Sequence, residues 1–368
     1  MPVASPVVNE QRDEPGRHPE EHPGAHGADG AHGTMALQCM EVWGGNGVSE
    51  QGVNMAGVDA WVLSRPHEGD TSGGDVHYVS TCGTGRITRM MVADVAGHGD
   101  KVSDLALLLR NLMRRYVNHI DQGRFVAGMN REFSARARAG RFATAVVATY
   151  YAPTSYFVAT NAGHPRPLIY SARTKSWGVM VGERHDMARE TPRSGIAPQD
   201  LPTQQPSGPK NVPLGVLDDT AYEQFAVKLR PGDLVVLYTD SLVEARLASG
   251  DQGGTMLGER GLLEIARDLD VSKPTELARR LMDAVVQRCE GRPPDDDVTI
   301  MVIRPNGLLP RVPIVQRVRA QLMFVWLLLG SWRRQAPPVP WPEARVENLL
   351  GPVSRAANTR WGRGAREL

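Results

Sequence analysis

Apolar residues fall along this chain in short runs and in two distinct periods. Runs rich in Val, Ile, Tyr and Thr, bounded by Gly, Pro, Asp or Asn, predict strands at Val58–Leu63, Val76–Cys82, Ile87–Val95, Leu168–Tyr170, Phe225–Leu229, Leu234–Thr239 and Val298–Ile303. Phe142–Tyr151 and Tyr156–Asn161 read as a hairpin across the turn Ala152–Ser155. The i, i+3, i+4 spacing of Leu105, Leu108, Leu109, Leu112 and Met113 predicts a helix over Ser103–Tyr116. Further helices are expected over Phe125–Arg138, Glu259–Asp268 and Pro274–Cys289, the last with Ser272 capping it and Pro274 in its first turn. Strands alternating with a few helices predict an α+β domain.

The margins lack this patterning. Residues 1–36 are rich in Pro, Gly, His and Glu and predict a disordered tail, because they offer little to bury. His18, His22, His26 and His32 lie there without fixed geometry and read as solvated. The globular domain is expected over 37–305, with a polar, Pro- and Gln-rich mobile insertion over about 175–211. Residues 306–368 form a basic tail with ten arginines against three glutamates. Its apolar run, Leu322–Leu329, reads as a short helix that docks on a partner, a membrane surface or its own domain. It is too short to span a bilayer, which takes about 20 apolar residues.

Composition narrows the functions. The formal net charge is +1, so no whole-chain field argues for nucleic acid. Cys39, Cys82 and Cys289 are scattered, without a CxxC pair, which suggests reduced thiols in a cytoplasmic protein. No apolar segment follows Met1 that would read as a secretory signal. About 40 residues precede the domain, too few for a sensor module of about 100, so regulation is expected from a separate protein or from the basic tail.

The chemistry centres on Val92–Gly99, V-A-D-V-A-G-H-G. Asp94 stands at the mouth of a strand, and Gly97 and Gly99 let the backbone turn tightly behind it. A carboxylate there can reach a cation that the Val95 carbonyl also faces, and such oxygen donors suit Mg²⁺ or Mn²⁺. The plainer reading is a helix cap, a role that Asp100 or Ser103 fills better by position. Asp75, Asp240 and the pair Asp296/Asp297 share this context, each at the edge of an apolar β segment. Acids converging at one rim repel one another unless cations neutralise them, and two divalent ions would do so. Each acid by itself is as readily a surface turn residue.

A pattern links them. G-G-D at 73–75, V-A-D-V-A-G-H-G at 92–99, F-A-T-A-V-V at 142–147 and N-A-G-H-P-R-P-L at 161–168 come in that order. P-L-G-V at 213–216, G-D-L-V-V-L-Y-T-D-S-L-V-E-A-R at 232–246 and D-D-V-T-I-M-V at 296–302 follow. Over residues 41–305 the chain resembles the metal-dependent protein phosphatases of the PPM (type 2C-like) family, in their SpoIIE/RsbU branch. The resemblance implies an αββα sandwich, two antiparallel sheets flanked by helices, with two Mn²⁺ or Mg²⁺ ions at one edge. It implies that Asp94 bridges the ions and that the Val95 carbonyl and Asp75 serve one of them. Asp240 and Asp296 would complete the other site, with Asp297 as a supporting polar residue; three consecutive Asp residues leave that register open by one. It further implies hydrolysis of phosphoserine or phosphothreonine by a metal-activated water, in bacterial regulatory signalling, with a phosphorylated anti-sigma-factor antagonist as substrate.

Two positions depart from the branch. Tyr78 replaces the second acid of G-G-D-x-x-D, and Ser241 replaces the Gly that follows the Asp of T-D-G. These departures motivate a second reading, a catalytically weak phosphatase fold that binds and senses a partner; a phosphatase for a small phosphorylated molecule is a third. His98 is a candidate to touch substrate, with a structural turn as its alternative, and Arg65 is a candidate to hold the phosphate. The helices after Asp94 are expected control points, because moving them would shift that ligand.

Overall fold

The computed structural model describes residues 34–36, 42–67, 70–82, 85–97, 100–117, 121–137, 140–180, 210–247 and 255–308. All of them belong to one compact unit, His32–Leu368. Two sheets form its centre. The first holds β1 (Thr34–Ala36), β3 (Ser49–Asn54), β4 (Val58–Arg65), β9 (Leu168–Ser171), β10 (Ser176–Val179), β12 (Leu234–Tyr238) and β13 (Val298–Pro305). Their order across the sheet is β1-β3-β4-β13-β12-β9-β10. The second holds β2 (Val42–Gly47), β5 (Ser72–Thr81), β6 (Ile87–Val95), β7 (Ala143–Tyr151), β8 (Tyr156–Ala162) and β11 (Phe225–Lys228), in the order β11-β8-β7-β6-β5-β2. Every pairing is antiparallel except β1 on β3.

Helices cover both outer faces. α1 (Asp100–Tyr116) and α2 (Gln122–Arg136) pack on the second sheet. α4 (Gly258–Asp268) and α5 (Pro274–Arg288) pack on the first, and the short α3 (Ser241–Glu244) follows β12. The central strands β4, β5, β6, β7, β12 and β13 are therefore buried on both faces, which is why they read as near-continuous apolar runs. Alternation along each strand sorts the side chains. On β6, Met90 and Val92 enter the core between the sheets, while Met91, Ala93 and Val95 face α1 and α2. On β12, Val235 and Leu237 point between the sheets and Leu234, Val236 and Tyr238 face α4 and α5.

Predicted and observed elements agree closely in the middle of the chain and differ at four places. The 1–36 tail contains β1, so the boundary moves back to Thr34, and residues 1–33 lie outside the described residues. β2 and β3 were not predicted, because V-W-G-G-N-G and S-E-Q-G-V-N carry little apolar pattern; they are held by pairing with β5 and β4. The 175–211 insertion begins with β10, bridges back to Ala221 at Lys210, and otherwise falls on 181–209, outside the described residues. Ser272 does not cap α5: it bonds to Asp270, and Lys273 takes the cap position. The 322–329 run and the basic tail beyond Leu308 also lie outside the described residues. Among the described residues no helix is long and apolar enough to cross a membrane. Cys289 is a buried free thiol.

Candidate active site

One end of the sandwich collects the acids. Asp75 lies near the start of β5, Asp94 is the last residue but one of β6, β12 runs out into Asp240, and β13 starts after Asp296 and Asp297. Strand parity then decides where each side chain goes. Asp75 and Asp94 lie in phase with Val79, Met90 and Val92, which face the inter-sheet core. Thr239, Asp297 and Thr299 lie in phase with Leu237 and Met301 on the same side.

Asp75 is almost wholly buried, and its carboxylate accepts a hydrogen bond from Thr239 Oγ1 at 2.8 Å. Thr239 is itself fixed by β13: its N–H donates to the Thr299 carbonyl (3.0 Å), and Thr299 N–H donates to its Oγ1 (2.9 Å). Asp297 acts on the backbone. One carboxylate oxygen accepts from the His67 N–H (2.7 Å), the other from the N–H groups of Gly74 (2.6 Å) and Asp75 (3.4 Å). Any side chain at Gly73 would overlap that carboxylate, which explains the first glycine of G-G-D. Asp297 thus turns inward to brace the loop, and Asp296 caps the Asp297 N–H (2.8 Å) at the rim.

The acids disturb one another. Burial first, and then Asp240, Asp296, Asp297 and Glu244, push Asp94 up to about 7. Burial, followed by Asp94, raises Asp75 well above the ordinary carboxylate range, against the hydrogen bond from Thr239. Asp240 is also raised, by burial, Glu244 and Asp296, while the Ser241 N–H works the other way. Among the described residues no Lys or Arg forms an ion pair with Asp75, Asp94, Asp240 or Asp296. A partly desolvated anionic cluster of this kind calls for cations, and its all-oxygen donors suit a hard divalent ion. Only glycine fits at 74, where the loop packs against the Asp94 strand end: a Cβ there would lie 2.8 Å from the Val95 carbonyl oxygen, 2.9 Å from Val102 Cγ1 and 3.5 Å from Asp94 Oδ1. Among the described residues no three Asp, Glu, His or Cys side chains lie close enough together to hold one ion without further donors.

The remaining residues fall as follows. Arg65 ends β4 exposed on this rim, paired across the ladder with Val298. His98 lies outside the described residues. Tyr78, three residues from Asp75 and so on the opposite face, is buried against α1 and α2; its replacement of an acid takes no donor from the cluster. Ser241 opens α3 with ordinary helical backbone around it, so the position does not require glycine. Sequence reading gave Asp297 as a supporting residue but not the backbone groups it holds, and it missed Thr239 and Glu244, one helical turn beyond Asp240. It also missed the link from α1 to G-G-D: Asn46 Nδ2 donates to the Gly73 carbonyl (3.0 Å) and to Ser103 Oγ (2.7 Å). His164 stands behind Asp94, with Nδ1 2.7 Å from the hydroxyl of Thr144, the residue paired with Asp94 in the ladder. Burial holds His164 down at about 3, so it is a neutral, structural histidine. A period-2 count from the strand ends would have flagged Thr239 and Asp297; nothing local flags Asn46.

The family model described as Stage II sporulation protein E (SpoIIE) matches residues 84–201 and 194–306. The chain belongs to the SpoIIE family. A curated relative, phosphoserine phosphatase RsbU of Bacillus subtilis (strain 168), is 23% identical over 214 residues, 58% of this chain and 54% of the relative. The chain therefore spans about half the length of that relative. Three solved structures share the fold. The RsbU and RsbW domains of Rv1364c from Mycobacterium tuberculosis superpose with a TM-score of 0.51 at 19% identity, over 78% of this chain and 71% of that one. The PP2C phosphatase domain of SpoIIE from Bacillus subtilis, solved with a fragment of its regulatory domain, gives 0.50 at 15%, over 73% and 64%. The SiaA-PP2C domain of Pseudomonas aeruginosa gives 0.50 at 16%, over 67% and 84%. The SpoIIE-family member described here thus has two antiparallel sheets flanked by helices, as the sequence resemblance implied.

Proposed function

We propose that this chain is a divalent-metal-dependent serine/threonine protein phosphatase. The observation that carries the proposal is the convergence of Asp75, Asp94, Asp240 and Asp296 on one rim, partly desolvated, mutually repelling and without a basic partner among the described residues. Asp94 is the central donor, between Asp75 on one side and Asp240 with Asp296 on the other; the Val95 carbonyl lies against Gly74. Two Mn²⁺ or Mg²⁺ ions bound there would acidify a water and offset charge on the phosphoryl oxygens. The chain's own part is placement. Thr239 holds Asp75, Asp297 holds the Gly73–Asp75 backbone, and the His164–Thr144 pair backs the strand end that carries Asp94. Arg65, on the same rim, is the candidate to meet the phosphate, and His98 the candidate to meet substrate.

RsbU is named a phosphoserine phosphatase, and this supports a phosphorylated regulatory protein, of the anti-sigma-factor-antagonist type, as the substrate class. Bacterial signalling in the cytoplasm is the setting that fits that substrate. The deciding experiment follows p-nitrophenyl phosphate and a phosphoserine protein with Mn²⁺, with Mg²⁺ and with EDTA, for the parent and for Asp94→Asn. Turnover that needs metal and falls by roughly 10²-fold or more in the variant is the expected result. Absence of turnover with either ion, in a chain that calorimetry shows to bind none, would remove the proposal.

A further inference from the structure

The edge strand β2, V-W-G-G-N-G, has no role in the scheme above, yet it lies against the start of the strand that carries Asp75. It follows β5 in register from Val42 opposite Ser80 to Gly45 opposite His77, and then slips, so that Gly47 stands opposite Ser72. Asn46 sits in that bulge. A bulge takes a side chain out of the regular alternation and re-aims it. Gly44, at φ +144°, makes the close approach possible, because a Cβ there would overlap the His77 carbonyl.

The side chain aimed in this way is buried, and its Nδ2 finds an acceptor for each of its two hydrogens. It donates to the Gly73 carbonyl (3.0 Å) and to Ser103 Oγ in the first turn of α1 (2.7 Å). A carbonyl only accepts, so the group that meets Gly73 is the amide nitrogen and not the amide oxygen. Ser103 Oγ lies 3.0 Å from Ser72 Oγ, which ties the first turn of α1 to the first residue of β5. The Gly73 carbonyl and the Gly74 N–H belong to one planar peptide group. Asn46 holds the oxygen of that group, and Asp297 holds its nitrogen (2.6 Å). Two successive glycines are the freest residues that could lead into an acid, so this stretch depends on outside contacts for its shape. Asp75 follows directly, and the Val95 carbonyl packs against Gly74.

We propose that Asn46 is a positioning residue of the metal site. With Asp297 it fixes the Gly73–Gly74 peptide, and through that peptide the Asp75 carboxylate and its spacing from Asp94 and the Val95 carbonyl. Its effect runs through the backbone, so its loss shows first in metal affinity: ions at high concentration order the loop themselves, at a cost in Kd. The proposal rests on the phosphatase reading and adds to it a residue from the edge of the second sheet.

The test titrates Mn²⁺ calorimetrically into the full chain, into Asn46→Ala and into Asn46→Leu, which keeps the volume of the side chain. Asn306→Ala is the control. Asn306 is bonded much as Asn46 is, Nδ2 donating to the Met55 carbonyl (2.9 Å) and to Asp59 Oδ1 (2.7 Å). It lies past the far end of β13, roughly 25 Å along that strand from the acids. The expected result is a Kd about tenfold higher in both Asn46 variants and within about twofold of the parent in Asn306→Ala, although all three melt below the parent. Turnover of p-nitrophenyl phosphate by the Asn46 variants should be lost mainly at low Mn²⁺ and return as Mn²⁺ is raised. Ser103→Ala, which a helix accommodates, removes the second acceptor of the same amide and should raise Kd about threefold; it decides the matter where neither Asn46 variant folds. Folded Asn46 variants that bind Mn²⁺ as the parent does, a control weakened by the same factor, or, in their absence, an unchanged Ser103→Ala would overturn the positioning role and leave the phosphatase reading standing. A parent chain that binds neither Mn²⁺ nor Mg²⁺ would remove both.

Discussion

Asp94 is an acid in a place that disfavours its charge. Burial and four neighbouring carboxylates push it up to about 7, whereas in the unfolded chain it loses its proton near 3.8. Between those values the native state holds a proton that the unfolded state has released, so this group's contribution to stability falls as pH rises through the window and is level above it. His164 and His77, lowered by burial to about 3 and about 4, act in the opposite sense, their contribution being lost as pH falls below the unfolded value of 6.5. A difference measurement cancels the histidines. In EDTA, Asp94→Asn should match the parent near pH 4 and become progressively more stable than it toward pH 7, as read from paired melting curves. Parallel curves across that range would show that Asp94 titrates normally. Thr239 gives a second prediction at this scale. Thr239→Val keeps the shape but removes the donor to Asp75, and should weaken Mn²⁺ binding by roughly 10- to 100-fold in a calorimetric titration. Asp75, Asp94, Asp240 and the 296/297 pair were legible in the sequence as acids at strand ends. Their division of labour was not, because which Asp braces and which faces outward depends on parity against a strand some 220 residues away in the chain.

Among the elements, α1 and α2 bear most directly on the site. α1 begins a few residues after Asp94 and packs Val102, Leu105, Ala106, Leu109, Leu112 and Met113 onto the second sheet, each large side chain contributing about 1.5–3 kcal/mol by leaving water. At its other end the connection to α2 is pinned by Arg89, a buried cation on β6. Arg89 donates to the Val117 carbonyl (3.3 Å), to Gln122 Oε1 (2.7 Å) and to the Thr149 hydroxyl, and lies 5.0 Å from the centre of the Phe125 ring. Gln122 in turn donates to the Val147 carbonyl. Arg89→Met removes the cation and leaves Gln122 Oε1 and the Val117 carbonyl without this donor, so a loss of about 2–4 kcal/mol is expected in urea melts. A loss below about 0.5 kcal/mol would mean that water replaces the guanidinium freely. The pattern of α1 was plain in the sequence, since its apolar positions repeat at helical spacing. Arg89 was not, because a lone Arg inside an apolar strand carries no local sign of the partners it will meet.

For the whole molecule, the proposed metal site would couple metal to stability. Repulsion among the carboxylates opposes folding of the metal-free chain, and ions that bind the native rim and not the unfolded chain reverse it. At a free Mn²⁺ concentration about 100-fold above Kd the gain is about 2.7 kcal/mol, which thermal denaturation reads as a rise in melting temperature. EDTA should abolish the rise, and Asp94→Asn should blunt it. An unchanged melting temperature across a full Mn²⁺ titration would mean that the rim does not hold metal. The same assembly explains why the fold persists at 15–19% identity to its structural neighbours: apolar positions on both faces of the central strands suffice for the sandwich, whatever the individual side chains.

The sequence by itself determined the succession of strands and helices, the end of the strand at which each acid stands, and the tight turns that free those ends. These are local properties, set by apolar period, glycine and proline within a few residues. Only the tertiary structure decided which strands share a sheet, with β13 between β4 and β12, and with β2 and β3 recruited although their own sequences barely specify strands. It also decided that Asp297 braces the loop, that Tyr78 faces the helices and that Thr239 reaches Asp75. Each of these depends on contact between segments far apart in the chain, where pairing register and burial settle the outcome and no short window of sequence contains both partners.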